Sequence, residues 1–167
     1  LMGYLNPFLA VGSKEFVKKA SISGIDGILF VDMPPEESNK FTMETNKADI
    51  DIIRLISPTT SKSRAIKIVE QASGFVYYIS LKGVTGADSM DTKDVENRIN
   101  DLRQLTDLPV VIGFGIKDGK TVTLLKDLAD GVVVGSALVD IMGNKKEKIE
   151  KDLSSKIIEL SVALNTN

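Results

Sequence analysis

The sequence predicts an α/β fold of about six strand–helix units on a parallel sheet, and two observations support it. Short apolar runs rich in β-branched residues recur along the 167-residue chain, almost continuously apolar, as expected for parallel strands covered on both faces. Segments with helical spacing lie between them. Apolar residues make up 43% and charged residues 26%, which is typical of a globular protein, and residues 1–167 are expected to form one domain.

The predicted strands follow one another along the whole chain. The first is represented by its end, residues 1–5. The others are predicted at residues 28–31, 50–56, 75–81, 110–112 and 132–134.

The predicted helices alternate with these strands. One helix is predicted to be capped by Ser13 and to end at Gly24, and another to be capped by Ser61 and to end at Gly74. The apolar positions that predict the helices are, in chain order, Phe16, Val17 and Ala20; Phe41, after a start at Pro34 and Pro35; Ala65, Ile68, Val69 and Ala72; Val95, Ile99 and Leu102; Val122, Leu125 and Leu128; and Ile149, Leu153, Ile157, Leu160 and Leu164.

The alternation of strands and helices predicts a parallel sheet that is either open and doubly wound or closed as a barrel. The strand count and the chain length together indicate an incomplete barrel. A (β/α)8 or TIM barrel usually needs about 250 residues and rarely fewer than about 200. This chain of 167 residues is short by about two units, so we expect a barrel whose beginning is missing. Its open sheet edges should favour self-association or completion by another segment.

The composition excludes several kinds of chemistry. The sequence contains no His, Cys or Trp, so His-based triads, Cys–His pairs, zinc sites and disulfides are excluded. A net charge of −2 argues against nucleic acid as the main ligand. No apolar run approaches a membrane span, and the start lacks the basic residues of a signal peptide. We therefore expect a cytoplasmic protein without a metal site.

Three glycine-containing turns follow predicted strands. Gly86 ends the first, Gly115 ends the second, and Gly135 with Ser136 forms the third, at the start of a short helix. Glycine lets the backbone approach a ligand closely, and a helix start attracts anions. In barrels, the loops after the last two strands commonly bind phosphate. The last two turns therefore predict phosphate binding, while tight turns that need glycine for steric reasons are the simpler alternative.

Two charged residues lie at strand ends. Asp32 is the carboxylate best placed for function, because barrel active sites form at this end of the strands. The alternative is that Asp32 hydrogen-bonds backbone amides and shapes the turn. Lys82 could form a Schiff base, but a solvent-exposed loop lysine is the simpler interpretation.

Aromatic residues also occur near strand ends. Tyr77 and Tyr78 are adjacent on one strand, so they should face opposite sides of the sheet. With Tyr4 and Phe114 they could hold a planar apolar substrate, or they could be ordinary core residues.

Six segments match one family of barrel enzymes in order and spacing. They are residues 1–7 (LMGYLNP), 31–37 (VDMPPEE), 56–60 (ISPTT), 77–86 (YYISLKGVTG), 113–116 (GFGI) and 135–137 (GSA). On these segments the chain resembles the α subunit of tryptophan synthase. Residues 77–86 are the most specific of them, whereas the last two glycine motifs also occur in other phosphate-binding barrels.

The resemblance implies a TIM barrel of which this chain supplies strands three to eight. It implies a lyase of tryptophan biosynthesis that cleaves indole-3-glycerol phosphate to indole and glyceraldehyde 3-phosphate. It also implies an α2β2 heterotetramer, in which the partner β subunit carries pyridoxal phosphate and the α subunit has no cofactor of its own.

The same resemblance implies roles for individual residues. Those that would hold the substrate phosphate are Gly86, Gly115, Gly135 and Ser136. Those that would surround the indole and propyl chain are Tyr77, Phe114, Tyr4 and Met2. Thr85 would contact a catalytic carboxylate when its loop closes. Those that would meet the β subunit are Asn6, Asp32 and Pro34.

The family's catalytic Glu and Asp have no counterpart in this sequence. They lie on the family's second strand and the loop after it, whereas the chain begins at what matches the end of the third strand. We therefore expect this chain alone to have little or no lyase activity. Two alternatives remain at this point: a catalytically inactive module that binds a phosphate ligand or the β subunit, and another phosphate-binding barrel enzyme, such as a ribose-phosphate isomerase or indole-glycerol-phosphate synthase.

Overall fold

Six parallel strands form a single curled sheet. The computed structural model describes residues 1–79, 92–113, 115–143 and 148–166. The strands are β1 (Met2–Gly3), β2 (Gly27–Phe30), β3 (Asp51–Ile56), β4 (Val76–Ile79), β5 (Val110–Gly113) and β6 (Gly131–Val133). Each strand pairs in parallel with the next in the chain, so the sheet order equals the chain order. A doubly wound sheet reverses its strand order at one point, whereas this uninterrupted order is that of a barrel.

The helices lie between the strands in the chain. They are α1 (Leu5–Val11), α2 (Ser13–Ile22), α3 (Asn39–Lys47), α4 (Lys62–Val69), α5 (Thr92–Arg103), α6 (Gly119–Leu125), α7 (Ser136–Gly143) and α8 (Ile149–Asn165), with a short 3₁₀ helix (Pro35–Glu37) before α3. The predicted alternation of strands and helices is confirmed. No helix in the described ranges is long and apolar enough to cross a membrane.

The two predicted serine caps have different outcomes. Ser61 caps α4, since its hydroxyl accepts a hydrogen bond from the backbone N–H of Arg64 at 3.3 Å, as predicted. The cap at Ser13 is wrong, because Gly12 occupies the cap position with a φ of +90°. The unpredicted helix α1 ends immediately before it, and glycine supplies the conformation that the sharp turn between the two helices requires.

The two faces of the sheet carry cores of unequal size. The outward face packs under the helices in two large clusters, one around Ile28 and Ile52 and the other around Val76 and Ile112. The concave face carries a small cluster that includes Tyr77. The barrel interior is therefore only thinly packed along this chain.

The apolar stripe of α8 forms a helix as predicted, but most of it is not buried. Leu160 is its buried member, whereas Ile157 is exposed. The helix packs against α6 and α7 and leaves a further apolar face, with Ile158 and Val162, in solvent.

Candidate functional site

The carboxyl ends of all six strands meet at one rim of the sheet, where active sites form in parallel barrels. Tyr4, Asp32, Gly115 and Gly135 each lie within two residues of a strand end on this rim. We refer to these loops and strand ends as the rim.

Tyr77 lies on the concave face and is almost fully buried, in contact with the cluster of Leu29 and Ile53. Burial raises the pKa of the Tyr77 phenol, so the side chain is neutral at physiological pH. Tyr78 faces the opposite side and belongs to the outer core, as the alternation predicted.

Gly113 is a residue whose importance the sequence did not reveal. A Cβ atom at this position would overlap the ring and hydroxyl of Tyr77 on the neighbouring strand. Gly113 pairs with Ile79, two residues beyond Tyr77, and the missing side chain leaves space for the tyrosine ring. Only the strand register shows this relation, because the two residues are far apart in the sequence.

The phosphate end of the predicted site is open. Gly115 has a φ of +74°, which favours glycine. Gly135 and Ser136 are exposed, and a Cβ at Gly135 would meet no atom of the described residues within 4 Å. The Gly135 carbonyl accepts hydrogen bonds from Leu138 and Val139 and so begins α7. Among the described residues, the Ser136 N–H at this helix start has no protein acceptor, and such amides attract anions.

Asp32 has a definite structural partner. Its Oδ1 accepts a hydrogen bond from the Leu5 backbone N–H at 2.7 Å and so caps the first turn of α1. The interpretation of Asp32 as a ligand of backbone amides is confirmed. Asn6 is exposed directly after Leu5, and the half-buried Pro34 follows Asp32 by two residues, so the three predicted interface residues share one side of the rim.

The predicted indole wall is only partly assembled. Met2 pairs with Leu29 in the sheet and therefore faces the same concave side, but its side chain is 57% exposed. Tyr4 is 64% exposed at the start of α1. The candidates Phe114, Thr85 and Gly86, together with Lys82, lie outside the described residues.

Within the described ranges there is no group of three or more acidic residues positioned to hold a metal ion. Asp32, two residues beyond the end of β2 on the rim, is engaged with a backbone amide. What the described rim offers a ligand is therefore an exposed helix start at one end and an apolar face at the other.

Comparison with known proteins gives a consistent result. The family model described as tryptophan synthase alpha chain matches residues 1–165. The tryptophan synthase alpha chain of Hydrogenovibrio crunogenus is 45% identical over 169 residues, which cover 99% of this chain and 62% of that protein. That of Methylococcus capsulatus is 43% identical over 168 residues, which cover 99% and 63%. The chain thus spans less than two thirds of the length of these curated relatives.

Solved structures agree. The chain superposes on the tryptophan synthase α2β2 complex of Pyrococcus furiosus with a TM-score of 0.84 and 38% identity, covering 96% of this chain and 65% of that one. For Mycobacterium tuberculosis tryptophan synthase the TM-score is 0.87 with 30% identity, covering 99% and 62%. These matches confirm the expectation of an incomplete TIM barrel.

Proposed function

The chain belongs to the tryptophan synthase alpha chain family, and from this premise we propose that it forms the substrate-binding rim of a lyase. The reaction is cleavage of indole-3-glycerol phosphate to indole and glyceraldehyde 3-phosphate. One observation carries the proposal: the exposed start of α7, where the Ser136 N–H has no acceptor among the described residues, shares a rim with the apolar wall at Tyr77. A substrate with a phosphate at one end and a planar apolar ring at the other fits such a rim.

The phosphate is proposed to lie at the start of α7. Its charge is favoured there by the helix dipole and by the Ser136 amide and hydroxyl. The open space beside Gly135 lets the backbone approach the phosphate oxygens. Gly86 and Gly115 are proposed to complete this cradle.

The indole is proposed to lie on the concave face. Tyr77 would form the rigid part of the wall, because its ring is held by the packing around it and by the space at Gly113. Phe114, Tyr4 and Met2 would close around the ring when substrate binds, with Thr85 acting in the loop that closes over it.

The acid–base groups are proposed to come from outside residues 1–167. Proton transfer by positioned groups contributes about 10²- to 10⁴-fold each to such reactions. A neutral Tyr77 and an Asp32 that caps α1 do not replace them. The chain alone is therefore proposed to turn over little or no substrate.

The partner is proposed to be a tryptophan synthase β subunit that carries pyridoxal phosphate and receives the indole. A relative of known structure forms an α2β2 complex. The surface on this chain would include Asn6, Asp32 and Pro34. The α subunit needs no cofactor in this scheme.

Substitution of Gly135 tests the phosphate site. We expect Gly135→Val, in protein made from its complete coding sequence, to weaken glycerol 3-phosphate binding about tenfold or more, because the new side chain fills the anion site. Gly143→Val is the matched control, since a Cβ there also meets no atom of the described residues within 4 Å, at the far end of the same helix. Calorimetric titration and an indole-release assay measure both variants. Equal affinities for the two variants and the unsubstituted protein would overturn the proposal.

A further inference from the structure

Arg54 is a charged residue in the core. It lies on β3 between the buried Ile52 and Ile56 and is only 4% exposed. Burial lowers the pKa of the guanidinium from its ordinary value. A buried cation is costly unless an anion or a full set of hydrogen bonds compensates it.

The described protein groups compensate this cation only in part. Nε donates to the Gln71 carbonyl at 3.3 Å, and Nη2 donates to the Ser38 hydroxyl at 2.5 Å. Ser38 is itself fully buried, and both partners are neutral. In the described parts of the chain no carboxylate lies within 4.0 Å of Arg54, and its other N–H donors have no protein acceptor.

A cavity of about 280 Å³ lies beside Arg54, between the loop after β2 and helix α4. Its apolar walls include Phe30, Met33 and Ile68. The volume is close to the lower limit of small-molecule sites, about 300 Å³. A cavity of this size has room for a small organic acid with an apolar body beside the Arg54 guanidinium.

The other charges around the cavity are already engaged. Arg64 is paired with Glu36 through its two terminal nitrogens, Nη1 and Nη2, and Nη2 lies 3.0 Å from Oε2 of Glu36. This pairing lowers the pKa of Glu36. Asp32 accepts from the Leu5 amide. Among the described residues of the cavity wall, Arg54 is thus the uncompensated charge. The neighbouring carboxylates of Glu36 and Asp32 repel anions, so they disfavour a ligand with more than one negative charge.

We propose that this cavity is a second binding site, for a small carboxylic acid with an apolar body whose carboxylate pairs with Arg54. The fork of N–H groups matches a carboxylate, and the apolar walls match the remainder of the ligand. The site lies at the carboxyl end of β3, toward α4, and is lined in part by the proposed interface residues Asp32 and Pro34. It uses neither Tyr77 nor the start of α7.

Benzoate is a suitable probe, and Met33 is a natural reporter. In protein made from its complete coding sequence and labelled with ¹³C at the methionine methyl groups, benzoate should shift the Met33 signal saturably. Benzamide, which has the same shape but no charge, should not. Met43 and Met142 are exposed elsewhere and serve as internal references. A Met33→Leu variant assigns the signal.

Substitutions of Arg54 decide the role of the charge. Arg54→Met should abolish the benzoate shift without lowering the melting temperature, because a buried cation is replaced by an apolar chain of similar length. Arg54→Lys, which keeps the charge but loses the fork, should bind about tenfold more weakly. Arg103→Met, at an exposed arginine, is the matched control and should bind normally.

Three results would overturn the proposal. The first is that benzoate at saturating concentration does not shift the Met33 signal, and the second is that Arg54→Met leaves the shift unchanged. The third is that the β subunit displaces benzoate and also binds more weakly to Arg54→Met. The last result would assign the cavity to a partner side chain. Glycerol 3-phosphate binding should be the same in Arg54→Met and in unsubstituted protein, so failure here is distinguishable from failure of the proposed lyase function.

Discussion

The middle of the sheet and its two ends contain the same kinds of apolar residue but bury them to different extents. In the middle, Val76, Val110 and Ile112 are completely buried. At the ends, α1 and α7, both described throughout, contain no fully buried residue, and β6 is half-buried along its length. The difference shows that burial here depends on having a structural neighbour on each side.

The residues with proposed functions are divided between the middle of the sheet and its ends. Tyr77 stands in the middle, where packing fixes its position. The proposed phosphate site at Gly135 and Ser136 and the proposed interface residue Asn6 lie at the ends, where these residues are exposed and can meet a ligand or a partner. Within the described residues β1 pairs only with β2 and β6 only with β5, so both outer edges have backbone groups available for further pairing.

The largest expected effect is that of an isoleucine removed from the middle. Ile99→Ala in α5, at 0% exposure, should lower the free energy of unfolding by about 2–5 kcal/mol through lost burial and a cavity. Ile158→Ala in α8, at 62% exposure, is the matched change at the end and should stay within about 0.5 kcal/mol. Urea unfolding measures both. A large effect at Ile158 would mean that another segment covers this face in solution.

A smaller effect is expected from adding a methyl group to the concave face. Gly113→Ala should destabilise the protein by about 1–3 kcal/mol, because the Cβ overlaps Tyr77. Gly131→Ala, on the next strand, meets its nearest atom at 3.6 Å and should be nearly neutral. Thermal and urea unfolding compare the two.

A double variant checks the cause of the Gly113 effect. If the clash with the tyrosine ring is responsible, Tyr77→Leu should cancel most of the cost of Gly113→Ala. Additive losses in the double variant would show that the clash with Tyr77 is not the cause.

The smallest expected change in stability concerns the hydrogen bond by which Asp130, beside β6 at one end of the sheet, is joined to β5 in the middle. Asp130 directly precedes β6, and its Oδ2 accepts a hydrogen bond from the Val110 N–H of β5 at 2.8 Å. This hydrogen bond is the main reason that the pKa of Asp130 is lowered, and the ion pair with Arg103 lowers it further. Asp130→Asn should cost about 1 kcal/mol at neutral pH, since solvent screens this half-exposed pair.

The pH dependence of this link has a definite sign. The folded pKa of Asp130 lies below the unfolded value near 4, so its contribution is complete above that value and is lost as the pH falls through the folded pKa. The stability difference between Asp130→Asn and unsubstituted protein should therefore shrink in acid. Asp127→Asn, at an exposed carboxylate nearby, is the matched control and should change the stability little at neutral pH. A constant difference across this range would contradict the assignment.

Much of the fold could be predicted because its signals are local. The β-branched runs predict β2, β3, β5 and β6 to within about two residues, and the spacing of Val95, Ile99 and Leu102 predicts the buried face of α5. The order of the strands in the sheet agrees with the expected barrel.

The remaining features depend on contacts between distant residues. Helix α1 is capped by Asp32, which is 27 residues from Leu5, and no local pattern indicates such a cap. The space that Gly113 leaves for Tyr77 depends on strand register. The stripe of α8 has the spacing of a buried face, yet its exposure is decided by which neighbours are present. The roles of Gly86, Thr85 and Phe114, outside the described residues, stay predictions.

The equality of sheet order and chain order has a consequence for how the molecule forms. Each of the strands β1 to β5 pairs with the next described strand in the chain, so these five pairings do not depend on a more distant segment. Parallel strands joined through a helix pair more slowly than a hairpin does, but pairing between successive units keeps the sequence separation smaller than pairing across the whole chain would. We expect a nucleus at β3 to β5, where the core is deepest, with growth outward one strand at a time. The exposed backbone groups of each newly added strand then form hydrogen bonds with the strand that follows it.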